Sequence, residues 1–175
     1  MKLFKKLAAA ALAAVLALSM VGCGAGGKGS ALDLKNEVLN LIEDTYYTSG
    51  KTATHTTAMD AAAAKLIDDA AAAGKVEGNN NTVQELLQEE GSGDYIAIVM
   101  PYGQLSTELM QHLYILKMEW ILKSAIQDIA NPEYNDTVVK IGNPEIGVNS
   151  SIEIGAAMGT IKGKNYLVLL VKKAA

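Results

Sequence analysis

Between positions 31 and 74 the apolar residues recur at the spacing of amphipathic helices. A first helix is predicted to end near Gly50. Its apolar positions are Leu34, Val38, Leu41, Ile42 and Tyr46. A second, alanine-rich helix is predicted from Ala58 to Ala73, opened by a capping arrangement of Thr57 with Asp60 and stopped by Gly74. Its small side chains suit close packing against another element.

The next part of the chain combines a short helix, an apolar strand and one long helix. Val83–Gln88 is predicted as the short helix, and Tyr95–Met100 as a buried strand because it is compact and β-branched. Ser106 is predicted to cap the long helix, which ends before Asn131-Pro132. The residues of this helix expected to face the core are Leu109, Leu113, Leu116, Trp120 and Ala125.

Beyond residue 136 the pattern changes to strands. Three are predicted, at Thr137–Ile141, Ile152–Met158 and Tyr166–Val171, with Ile161–Lys164 as the turn that joins the last two. Helices that are segregated from a mainly antiparallel sheet indicate the α+β fold class.

The first 22 residues differ from all that follows. Three lysines precede an uncharged stretch, residues 7–20, which leads into Met20-Val21-Gly22-Cys23. A basic start, a short apolar run and a small-residue cleavage site are typical of a secretory signal. The run is shorter than the roughly 20 residues that a spanning helix needs. A plain signal peptide that leaves a free cysteine is one interpretation.

The tetrapeptide also resembles the bacterial lipobox. This resemblance implies cleavage before Cys23, acylation of that cysteine with chains such as palmitate, and anchoring to the outer face of a bacterial membrane. Membrane lipid is then the first expected partner. Cys23 is the only cysteine, so no intramolecular disulfide can form.

Charge and composition indicate how the chain is organised and which partners it does not bind. Residues 23–30 form a glycine-rich tether whose seven residues after the cysteine span roughly 15 Å on average. Residues 31–175 have the length of one domain. Three of the 15 lysines lie before Cys23 and all 19 acidic residues lie after it, so the mature part carries a net charge of −7. The chain has no arginine, and a net-acidic body repels polyanions, so no nucleic acid is expected as a partner.

Several strings in residues 31–171 resemble the CAP superfamily of secreted proteins (cysteine-rich secretory, antigen and pathogenesis-related proteins). They are Glu37–Ile42 with Gly50, Ala62–Ala70, Trp120, Asn131–Tyr134 and the pair Ile154–Ala157 and Tyr166–Val168. The order and spacing of the strings carry the resemblance, which implies an α-β-α sandwich around a central cleft.

The departures from the family pattern concern its metal residues. Metal-binding members place two His and two Glu around the cleft. Here residues 71–83 contain no His, Asp94-Tyr95-Ile96 stands where a Gly-Glu-Asn string is usual, and Ser124–Gln127 occupies the place of the second His. If the resemblance holds, the histidine pair is lost, so no metal or other cofactor is expected.

Only two histidines exist, and neither stands in a recognisable catalytic motif. His55 lies in a threonine-rich segment and is expected to face solvent, whereas His112 follows Glu108 by one helical turn. Tyr95, Tyr102 and Tyr134 flank the place of the family's cleft and are the candidate ligand-contacting residues. No catalytic residue is assigned.

Three functional interpretations remain. The first is a lipid-anchored cell-envelope protein with a non-catalytic CAP-like binding domain. The second is an envelope hydrolase or metal-dependent enzyme with a non-standard site near His112, which would need a histidine converging with two carboxylates in one cleft. The third is an assembly subunit without a pocket.

Overall fold

The computed structural model describes residues 31–74, 81–103, 105, 107–127 and 136–175. In these ranges the helices are α1 (Ala31–Thr48), α2 (Thr57–Ala73), α3 (Val83–Glu90) and α4 (Glu108–Ile126). The strands are β1 (Ala53–His55), β2 (Tyr95–Pro101), β3 (Val138–Ile141), β4 (Ile152–Ile161) and β5 (Lys164–Lys173). Leu32–Ala175 makes one compact unit. The predicted cap Ser106 and the Asn131-Pro132 turn lie outside the described residues.

The five strands form a single sheet in the order β1-β4-β5-β2-β3. All neighbouring strands are antiparallel except β1 and β4, which run parallel. β4 and β5 are joined by Lys162 and Gly163, whose φ angles of 50° and 77° fit the tight turn that matches the twist of a hairpin. The predicted α+β class, with helices on a mainly antiparallel sheet, is confirmed.

Helices cover both faces of the sheet, because alternate strand residues point to opposite sides. In β2, Ile96 and Ile98 join a core cluster with α1 and α4, while Ala97 and Val99 join a second cluster with α2 and α3. β5 divides in the same way, so the central strands are apolar on both faces. The result is three layers, helix–sheet–helix.

The alanine-rich helix α2 packs very close to the sheet. A Cβ atom added to Gly155 of β4 would lie 2.4 Å from the backbone nitrogen of Asp60, and one added to Gly159 would lie 2.5 Å from the side chain of Ile67. Glycine at these two positions therefore sets the distance between helix and strand. The predicted close packing of the small-residue helix is confirmed.

Two details of the helix caps differ from the prediction. The cap of α2 is Thr56, whose side chain accepts a hydrogen bond from the Met59 N–H, and not Thr57. Asp60 contributes no cap because its carboxylate points to the edge of the sheet. The cap of α4 is Thr107, which accepts from the Met110 N–H.

Strand β1 is absent from the prediction. It has only three residues and a mixture of threonine, alanine and histidine, which gives too short a pattern for recognition. It is held by parallel pairing with the start of β4, where Ala53 lies opposite Ile152.

The predicted orientation of α4 is wrong for four of its five residues. Leu109, Leu113, Leu116 and Trp120 are exposed, whereas Ala125 is partly buried against the core. The side that faces the sheet consists of Tyr114, Ile115, Met118, Ile121 and Leu122. Both sets recur at helical spacing, so periodicity alone does not show which set lies inside.

Candidate functional site

The exposed side of α4 carries large apolar residues in a straight row. The exposed fractions are 68% for Leu109, 56% for Leu113, 40% for Leu116 and 46% for Trp120. We call these four residues the outer stripe. Their spacing of four, three and four residues places them within about 60° of the helix circumference. Contiguous apolar surface of this kind marks a binding surface more often than a site of chemistry.

The opposite side of α4 explains why the outer stripe faces away from the sheet. Met118 and Ile121 have no exposed surface, and the buried Tyr114 hydroxyl donates a hydrogen bond of 3.0 Å to the Met100 carbonyl. Burial raises the pKa of the Tyr114 hydroxyl, with a smaller contribution from nearby Tyr102, so it remains a donor at neutral pH. This buried bond and the apolar contacts around it fix the rotation of the helix.

Charged and polar groups of both signs flank the outer stripe. His112 and Lys117 are exposed, and Glu119 makes an ion pair of 2.5 Å with Lys123 one turn later. An apolar row between charged residues of both signs is the pattern of a helix that pairs with another helix.

A second cluster joins the two helical layers at the β1 edge of the sheet. Lys35 of α1 donates to Asp60 of α2 over 2.8 Å, and the other oxygen of Asp60 accepts from the Ala156 N–H over 2.8 Å. Burial alone would raise the pKa of Asp60, but the hydrogen bonds from Lys35 and the Ala156 N–H, together with the contact to the His55 side chain, outweigh it and hold that pKa below its usual value. The carboxylate is therefore ionised at neutral pH and its oxygens are occupied.

His55 lies in this cluster with 32% of its side chain exposed, so it faces solvent only in part and not freely as predicted. Its Nε2 atom is buried 3.0 Å from the Asp60 carboxylate, without the alignment of a hydrogen bond. Its backbone N–H donates to Glu43 over 2.9 Å. Two carboxylates thus surround His55, but one binds the backbone and the other already binds Lys35. This arrangement ties the edge strand β1 to α1 and α2.

A shallow pocket of about 160 Å³ lies between the ends of α1 and α4. Lys51 lies over the Tyr46 ring, 5.8 Å from its centroid, and its ammonium group donates to the Val148 carbonyl. Burial raises the pKa of Tyr46 to about 12, so this phenol stays protonated. Pockets for small molecules usually have roughly 300–1,000 Å³, so this pocket is too small for most of them.

The structure does not bring Tyr95 and Tyr102 together. Tyr95 opens β2 and packs against the cluster of α2 and α3, whereas Tyr102 follows the end of β2 and packs against the cluster of α1 and α4. Tyr134 and Cys23 lie outside the described residues. The ligand-contacting role of the tyrosines and the lipidation of Cys23 stay predictions.

His112 is exposed on α4, and Glu108 beside it is exposed as well. Within the described ranges no group of three His, Cys, Asp or Glu residues is arranged to hold a metal ion. No helix there combines the length and the apolar character that are needed to cross a membrane.

The outer stripe is the feature that sequence reasoning missed. The width of the two apolar sets does not identify it, because Met110 is exposed beside the row and brings the exposed apolar set to about 120°, the same as the buried set. Comparison of the chain with protein-family models, with curated proteins and with solved structures finds no match in any of the three.

Proposed function

We propose that this chain is a cell-envelope lipoprotein, held to the outer face of a bacterial membrane by acylated Cys23, whose α+β domain binds a partner without catalysis. The observation that carries the binding role is the outer stripe. Leu109 and Leu113 each expose more than half of their surface although the helix has a complete buried side. Single exposed apolar residues are common, but a contiguous row of four large ones is a feature of interaction surfaces.

The other polar clusters support binding rather than chemistry. Asp60 is occupied by Lys35 and the Ala156 N–H, and His55 is held at the sheet edge. The pocket beside Tyr46 is small and contains a protonated phenol. None of these groups combines a nucleophile with a base in hydrogen-bonding reach, which covalent catalysis requires.

The anchoring role rests on the sequence. A basic start, an uncharged run and Met20-Val21-Gly22-Cys23 stand in the order of a lipoprotein signal. Several acyl chains on one cysteine give a firm anchor, since each buried CH₂ contributes about 0.8 kcal/mol. The short tether keeps the domain close to the bilayer surface.

The CAP-like character of the domain is also a proposal. The three layers agree with the α-β-α sandwich that the resemblance implies, and the order of the elements supports it. The absence of His from residues 71–83 and 124–127 favours a member without the family's metal site.

Metabolic labelling tests the anchor. Cells that express the chain and take up an alkyne-bearing fatty acid should label the wild type and the tether control Ser30→Ala, but not Cys23→Ala. Any Cys23→Ala protein whose signal has been removed should leave the membrane fraction. An unlabelled wild type, or a processed Cys23→Ala protein that stays with the membrane, would contradict the proposal.

A further inference from the structure

We draw no further inference here: the strongest candidate, the shallow pocket between the ends of α1 and α4, is lined by Lys51 and Lys123, but both ammonium groups already bind acceptors within the protein and stand at the C-terminal ends of helices, where a cation is stabilising without any ligand.

Discussion

Helices α2 and α4 lie on opposite faces of the sheet and use apolar side chains in opposite ways. α2 buries alanines between larger side chains such as Leu66 and Ile67 and approaches β4 at Gly155, while its outward residues Lys65 and Asp68 are polar. α4 buries bulky residues such as Met118 and Ile121, and its outward residues are bulky and apolar too. The outward side of α2 is therefore polar where it is exposed at Lys65 and Asp68, whereas the outward side of α4 has large apolar residues at the surface of the described part of the chain.

The largest expected effect separates the two sides of α4. Ile121→Ala removes a fully buried side chain and should lower the free energy of unfolding by about 2–5 kcal/mol. Leu113→Ala, on the outer stripe, should change it by less than about 0.5 kcal/mol at low protein concentration. Urea unfolding followed by circular dichroism measures both. A similar loss for the two variants would mean that the outer stripe belongs to the core of the single chain.

The next effect concerns the close approach of α2. Gly155→Ala places a methyl group 2.4 Å from the backbone of Asp60, where no flexible side chain can move away, and should destabilise the fold by about 1–3 kcal/mol. Gly103→Ala is the matched control, since a Cβ atom there meets nothing within 4 Å. Thermal unfolding of both variants gives the comparison, and equal melting temperatures would show that α2 can move outward without cost.

A smaller, pH-dependent effect comes from the start of α2. The pKa of Asp60 is lower in the folded chain than in the unfolded one, so its stabilising contribution is present above the unfolded pKa of about 3.9 and is lost as the pH falls towards the folded value. Asp60→Asn should cost about 1 kcal/mol at pH 6 and much less at pH 2.5.

The control for this pH dependence is Asp69→Asn. Asp69 pairs with Lys65 on the surface of α2, where 74% of the Lys65 side chain is exposed. Exposed ion pairs contribute little to stability, so Asp69→Asn should have the same free energy of unfolding as the wild type at both pH values. If Asp60→Asn lowered the free energy of unfolding equally at both pH values, Asp60 would act through its shape and not through its charge.

The sequence predicted the fold well where a pattern had only one explanation. Tyr95–Met100 is apolar without interruption because β2 is covered on both faces, and the alanine spacing of α2 fits one close contact. The prediction of which side of α4 faces the core was wrong because two apolar sets share the helical period. The choice between them depends on which set fits the side chains of the sheet. β1 and the cluster of Lys35, His55 and Asp60 could not be predicted. Lys35 precedes the other two residues by 20 and 25 positions, and the three meet where β1 pairs in parallel with β4.

The two edges of the sheet determine where a strand of another molecule could add to it. β1 and β3 have three and four residues, while the strands between them have seven to ten. β1 pairs only with residues 152–154, so the edge of β4 from residue 155 onward has no strand beside it among the described residues. The Asp60 carboxylate occupies the Ala156 N–H at this edge, and a charged group that points into an open edge opposes the addition of a foreign strand.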